Sequence, residues 1–299
     1  MKKKHSDPKQ IFDLLPHPYP VGIEVTEAVV SSFQDCIYRY YHDFGRSFPW
    51  RETNDPYRIL LSEVMLQQTQ TDRVLPKYKE FLKYWPSLSV LHAAPLVDVL
   101  ACWKGLGYNR RVLALKRIAE ISVVKYGGTL PNDQKALMKL PMVGPATSAA
   151  LLAFAFDTPS LYLETNIRRV LLYFFFHEVE QVHDKELYLL LDLLLDRKDP
   201  KCWYYALMDY GVYLKGIVKN PNRRSAHYTR GERFENSNRQ IRGELLTLFT
   251  EHGAAAREDI CQMLQFSPER IDTCIEALIH EGFIVGEEVA ETSLVYRIK

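Results

Sequence analysis

Closely spaced cysteines are missing from this chain of 299 residues. The five cysteines lie at positions 36, 102, 202, 261 and 274, so no C-x-x-C pair occurs. Compact zinc and iron–sulfur sites are built from such pairs, and the sequence therefore predicts no metal and no cofactor. Five thiols without an export signal also favour a reducing, cytoplasmic setting.

Long hydrophobic runs are missing as well. A typical purely apolar stretch, residues 171–176, is far shorter than the roughly 20 residues of a membrane helix. The start, Met-Lys-Lys-Lys-His, is charged and has no apolar run after it, so we expect no signal peptide. With 47% hydrophobic and 25% charged residues, the composition is that of a folded globular protein and excludes disorder as the main state.

Charge is unevenly distributed, although the net charge is only +1. Residues 215–242 contain eight Lys or Arg against two Glu, a net of +6. Residues 243–299 contain four against eleven Asp or Glu, a net of −7. The basic stretch favours a polyanionic partner, and the alternative is a solvated linker.

Apolar residues recur every three or four positions from residue 27 to residue 215, as in Val29, Phe33 and Ile37, and no alternating pattern precedes residue 280. The body is therefore predicted to be all-α. The order after residue 240 is three helix-like segments (241–249, 257–264, 268–281) and two strand-like ones (283–285, 294–298), with a turn at Gly286–Glu288. This order is typical of a winged-helix module. The predicted organisation is a loose arm over 1–25, a helical domain over 26–219, a basic linker over 220–240 and a small winged-helix-like (α+β) module over 241–299.

The motif at residues 140–147, LPMVGPAT, predicts a helix, a tight turn and a second helix that starts near Pro145. The start of that helix offers N–H groups and a positive dipole to an anion such as a DNA phosphate. An ordinary corner between two helices is the alternative. The candidate DNA contacts of this motif are Leu140, Met142, Val143, Gly144, Ala146 and Thr147.

Further motifs occur in a fixed order around it. They are Pro49-Trp50-Arg51, Asp55-Pro56-Tyr57, Ser62 to Gln70 and Gly105 to Tyr108. Together with 140–147 they resemble the helix-hairpin-helix DNA glycosylase superfamily, and most of all its adenine-mismatch branch, from about Phe48 to Gly211. The resemblance implies a two-lobed all-α body with the base pocket in the cleft between its lobes. It also implies that double-stranded DNA with a mispaired or damaged base is the partner.

In that family the Glu of the S-E-V-M motif protonates the base that is removed, and Glu63 stands at this position. A carboxylic acid in a dry pocket suits this role because its pKa is raised there. The alternative is a carboxylate on the surface of a helix, which the apolar neighbours Val64, Met65 and Leu66 make less attractive.

The family's second carboxylate is an Asp that stabilises the cation-like sugar. The matching stretch here, LETNI, has Glu164, one methylene longer. A catalytic role for Glu164 is one interpretation, and a simple cap of the following helix is the other. Relatives that also cut the DNA strand have a lysine where this chain has Ala146, so a monofunctional enzyme is expected.

Gln68 and Tyr108 match residues that the family wedges into the duplex when a base is extruded. The alternative for Tyr108 is packing in the core. In the family, a loop with four cysteines holds an iron–sulfur cluster, and a basic segment replaces that loop here. Arg223 and Arg224 of this segment are candidate phosphate contacts, and the alternative is an inert linker.

The family's β-rich C-terminal domain, which reads oxidised guanine, is replaced by the acidic module, so the target base stays open. Adenine opposite guanine or oxidised guanine is the first expectation. Uracil or thymine opposite guanine is the alternative, and non-catalytic binding of damaged DNA is another. We expect a monomer without membrane association, acting at a bacterial or archaeal nucleoid, in which the module packs on the body or binds a protein partner.

Overall fold

The computed structural model describes residues 18–20, 22–229, 234–290 and 293–299. The predicted arm over 1–25 falls largely outside these ranges. The chain divides into two compact units, residues 1–47 with 152–230 and residues 48–151 with 231–299. No helix in the described ranges is both long enough and apolar enough to span a membrane.

Helices make up the body of the chain. They are α1 (Glu27–Phe44), α2 (Pro56–Leu66), α3 (Thr71–Tyr84), α4 (Leu88–Ala93), α5 (Leu96–Trp103), α6 (Arg110–Tyr126), α7 (Gln134–Leu137), α8 (Pro145–Ala155), α9 (Thr165–Phe175), α10 (Asp184–Leu194) and α11 (Pro200–Ile217). Short 3-10 turns cover Pro49–Arg51 and Pro221–Arg224. The prediction of an all-α body is confirmed, with α4 as a short helix that the sequence pattern did not indicate.

Aspartate followed by proline starts two of these helices. The Asp55 carboxylate accepts the N–H of Arg58 at 3.0 Å, and the Asp199 carboxylate accepts the N–H of Cys202 at 2.9 Å. Each acid satisfies an N–H group that the helix itself leaves without a partner, while the proline that follows needs no such bond.

The core of the first unit is aromatic. Phe33 and Ile37 of α1 are fully buried, as the apolar stripe predicts. The Phe33 ring lies 5.8 Å from that of Trp203 and 5.3 Å from that of Phe174, both in edge-to-face geometry. Such pairs fix the angle between rings and therefore between the helices that bear them.

The end of the chain, residues 238–299, is called the tail below. It contains α12 (Asn238–His252), β1 (Ala254–Ala256), α13 (Arg257–Met263), α14 (Pro268–His280), β2 (Ile284–Ala290) and β3 (Ser293–Ile298). The strands form an antiparallel sheet in the order β1-β3-β2. Helices with a small sheet confirm the predicted α+β character.

The predicted turn at Gly286–Glu288 is wrong, because these residues continue strand β2. Gly286 lies opposite Tyr296, and a Cβ on Gly286 would come within 3.3 Å of the Tyr296 ring. The Glu287 carboxylate accepts a hydrogen bond from Arg297 Nε at 3.0 Å. An edge strand tolerates such charges because one of its faces is in water. Strand β1 was also not predicted, since three alanines carry no alternation.

The segment 220–226 is not the extended linker that its composition indicates. Pro221 and Asn222 are buried, and the Asn222 side-chain amide donates to the backbone oxygen of Thr165 at 3.1 Å. Ser225 forms a parallel bridge with Val182. These residues therefore belong to the first unit, while residues 230–233 lie outside the described ranges.

Candidate functional site

Glu63 lies on α2, between two buried neighbours. Ser62 is 1% exposed and Val64 is 2% exposed, while Glu63 itself is half-buried. The Ser62 hydroxyl donates to the backbone oxygen of Ile59 at 2.8 Å, so it is satisfied within the helix. The helix thus holds Glu63 at the border between core and solvent, where a carboxyl group is only partly hydrated.

A buried arginine, Arg111, ties the end of α2 to the loop of residues 104–109. Its guanidinium donates to five backbone oxygens at 2.7 to 3.0 Å, those of Val64, Met65, Gln67, Leu106 and Gly107. Burial lowers the pKa of Arg111 to about 10, which leaves the group charged at neutral pH. Charge-assisted bonds of this kind are the strong ones, so helix and loop form one rigid frame.

Sequence reasoning missed Arg111, because an arginine at the start of a helix is usually solvated. A signal was nevertheless present. Arg111 lies four and seven positions before Leu115 and Ile118, on the same face of α6, and both leucine and isoleucine are buried. A charged residue on an apolar helix face is either paired or costly, so this position pointed to a buried network.

Three residues with exposed side chains, each on a different loop, share an unusual backbone conformation. Gln68, Tyr108 and Met142 have φ values of 54°, 49° and 58°. Residues other than glycine adopt this left-handed backbone region at a cost of about 1–3 kcal/mol. Backbone strain of this kind is concentrated at functional sites. All three residues line one groove of about 1460 Å³ in the second unit.

The exposure of these residues is high for apolar groups. Tyr108 is 41% exposed and Met142 is 49% exposed, so the structure places Tyr108 at the surface and not in the core. The glycines on both sides of Leu106, at φ 94° and 71°, give the loop its shape. An exposed ring on a fixed loop can enter a base stack at little cost in conformational entropy.

The turn at 140–147 has buried anchors and an open tip. Leu140 and Val143 are each only 4% exposed and hold the turn to the core. A Cβ on Gly144 would meet no atom within 4 Å, so the backbone there can be approached closely. Helix α8 begins at Pro145, and Ala146 and Thr147 are half-buried in its first turn. The first N–H groups of a helix lack partners within it and suit an anion.

Glu164 caps helix α9 in the first unit. One carboxylate oxygen accepts the N–H groups of Asn166 at 2.7 Å and Ile167 at 2.9 Å, and the other accepts the Asn166 amide at 3.2 Å. Burial raises the pKa of Glu164, and those backbone donors together with the charges of Arg169 and Arg168 oppose the rise. The structure therefore shows the capping role, in which both oxygens are held in fixed directions.

The turn of α9 that bears this cap is locked against α11. Arg169 donates to the Asn166 side chain and to the backbone oxygen of Gly211, each at 2.7 Å. A Cβ on Gly211 would come within 2.3 Å of the Asn166 backbone oxygen. The two helices thus meet at backbone contact, and only glycine fits at that point.

Arg223 and Arg224 belong to the 3-10 turn that packs on the start of α9. Arg223 is exposed and Arg224 is half-buried. Within the described ranges, no group of three or more His, Cys, Asp and Glu side chains is arranged to hold a metal ion.

Comparisons with known proteins agree with this arrangement. A sequence model described as "HhH-GPD superfamily base excision DNA repair protein" matches residues 61–193. An adenine DNA glycosylase of Buchnera aphidicola subsp. Baizongia pistaciae is 34% identical over 61% of this chain and 52% of its own length. A thymine/uracil-DNA glycosylase of Pyrobaculum aerophilum is 32% identical over 51% of this chain and 65% of its own.

Solved structures show the same fold. A thermostable thymine-DNA glycosylase superposes with a TM-score of 0.58 at 26% identity, over 66% of this chain and 93% of that one. The chain spans about half the length of the first curated relatives that it matches, 52% and 55%. On the matching motifs, fold and relatives, residues 61–193 of this chain are similar to the HhH-GPD superfamily of base excision DNA repair proteins.

Proposed function

We propose that the chain is a monofunctional DNA glycosylase that removes adenine opposite guanine or oxidised guanine. One observation carries this proposal. Glu63, the acid, and Gln68 and Tyr108, the residues for duplex opening, are built on one frame that Arg111 holds through backbone hydrogen bonds. Acid and wedge are thereby fixed relative to each other, as chemistry on an extruded base requires.

The reaction is hydrolysis of the bond between the base and C1′ of deoxyribose. Glu63 gives its proton to a ring nitrogen of the base, which leaves as a neutral molecule. The oxygen of a water molecule bonds to C1′, and the proton that this water loses restores the acid. Glu164, with both oxygens fixed by its cap, stabilises the positive charge that develops on the sugar.

Ala146 supports a single activity. Ala146 lies in the first turn of α8. By the family resemblance, members that also cut the DNA strand have a lysine at this position. Alanine has no nucleophilic atom, so no Schiff base can form with the sugar at that position. The product is an intact strand with an abasic site.

The DNA contacts follow from the same elements. We assign phosphate binding to the turn of Gly144, Ala146 and Thr147, and a further phosphate contact to Arg223 with Arg224. Gln68, Tyr108 and Met142 fill the space that the extruded base leaves.

A second candidate is removal of thymine or uracil opposite guanine. The relative from Pyrobaculum aerophilum and the superposed structure, which are named for thymine or uracil, favour it.

Single-turnover base release at fixed salt separates the candidates. Duplexes with adenine, uracil, thymine or hypoxanthine, each opposite guanine or oxidised guanine, are incubated with excess protein, and abasic sites are revealed by alkali. We expect release of adenine and no strand cleavage before alkali. Release of a pyrimidine alone identifies the second candidate, and binding without any release contradicts glycosylase activity.

A further inference from the structure

The tail packs on the helix that precedes the loop of Tyr108. Helix α12 lies against α5, which leads directly into the loop of residues 104–109. Ion pairs join the two parts: Lys104 contacts Glu251, and Arg110 donates to Glu281 through Nε at 2.8 Å. Glu281 also accepts from Arg242 at 2.6 Å, which connects α12 to the same carboxylate.

Tyr108 itself is contacted by the tail. Arg239 Nη1 donates a hydrogen bond to the Tyr108 hydroxyl at 2.7 Å, and its guanidinium carbon lies 5.7 Å from the ring centroid. The guanidinium carbon of Arg111 lies 5.5 Å from the same centroid. One cation from the body and one from the tail therefore hold a ring that is still 41% exposed.

Arg239 stands near the end of the basic stretch of residues 215–242, before the acidic residues 243–299. The first turn of α12 directs its guanidinium to the groove that Gln68, Tyr108 and Met142 line. A tail that served only as a scaffold would not need a cation at that place. A ring that enters a duplex benefits from one, because each fixed side chain lowers the entropy cost of insertion.

We infer that the tail is part of the duplex-opening apparatus and that Arg239 is a positioning residue for Tyr108. The inference rests on the proposed function. The hydroxyl bond and the ring contact keep Tyr108 in its strained, outward conformation, so the ring enters the base stack without first being ordered. Arg239 acts through Tyr108 and takes no part in breaking the glycosidic bond.

Fluorescence of 2-aminopurine beside the target base reports opening of the stack directly. The full chain is mixed with this duplex in stopped flow, as wild type, Arg239→Ala, Arg239→Lys and Arg297→Ala. Arg297 is the matched control, an exposed arginine of the same tail that binds Glu287 and does not line the groove.

We expect Arg239→Ala to open the stack about tenfold more slowly, the loss of roughly one hydrogen bond and one cation–π contact. Arg239→Lys, which keeps a donor and a charge, should recover most of the rate, and Arg297→Ala should match wild type. In a Tyr108→Ala background, Arg239→Ala should cost nothing more.

Two results overturn the inference. An opening rate of Arg239→Ala equal to that of Arg297→Ala would leave Arg239 without a role. Equal slowing by Arg239→Ala with and without the Tyr108 side chain would make Arg239 an independent DNA contact. A wild-type chain that neither opens the stack nor releases a base contradicts the proposed function instead.

Discussion

The turn around Glu164 and the groove rim formed by Gln68, Tyr108 and Met142 hold their side chains in opposite ways. At Glu164 both carboxylate oxygens accept hydrogen bonds, the backbone is extended just before a helix begins, and the side chain is fixed. At the rim the backbone is in the left-handed region and the side chains extend outward. A charge is immobilised in one region, while three apolar or amide tips are presented in the other.

The means of support also differ. The Glu164 turn is stabilised by close approach of helices at Gly211, whereas the end of α2 and the Tyr108 loop depend on one buried arginine. The comparison implies that each region fails in its own way when its support is removed.

The largest expected effect is at Arg111. Replacement by alanine removes the charged donor that these backbone oxygens share, and we expect the free energy of unfolding to fall by about 3 kcal/mol or more. Urea denaturation measures this loss. Arg117→Ala, on the exposed side of the same helix, is the control and should cost within about 0.5 kcal/mol. A loss below about 1 kcal/mol for Arg111→Ala would show that the frame has other support.

The contact between α9 and α11 gives the next effect. Gly211→Ala places a methyl group 2.3 Å from a backbone oxygen, and we expect a cost of about 1–3 kcal/mol together with a displaced Glu164 turn. Gly216→Ala, in the same helix with no atom within 4 Å of the added carbon, should instead stabilise by about 0.5–1 kcal/mol. Thermal unfolding compares the two, and equal effects would contradict the close approach.

The stabilising contacts of Arg111 and Gly211 could not be predicted from the sequence, whereas much of the local structure could. The helices and the apolar stripe of α1 follow from local spacing, and Asp55 with Pro56 marks a helix start. The roles of Arg111 and Gly211 depend on residues 40 to 50 positions away, which no local pattern contains. The turn misplaced at Gly286 has a different cause, since pairing with Tyr296 of the adjacent strand overrode the tendency of glycine to break a strand.

The smallest expected effect is the change in the free energy of unfolding with pH that the titration of Glu164 causes. Because burial raises its pKa above the ordinary 4.5, the folded chain keeps a proton that the unfolded chain loses as the pH rises. Wild type should therefore lose stability relative to Glu164→Gln as the pH increases from 4.5 until the raised pKa is passed, and stay level above it. Urea unfolding of both proteins between pH 4.5 and 8 tests this. A relative gain for wild type would mean that the helix cap outweighs burial.

The most direct test of the proposed activity is Glu63→Gln on the duplex that wild type processes best. Single-turnover base release and binding to the same duplex are measured side by side. We expect release to fall at least about a hundredfold, because the proton donor is lost, while binding stays within about twofold. Unchanged release by Glu63→Gln would contradict the assignment of Glu63 as the acid.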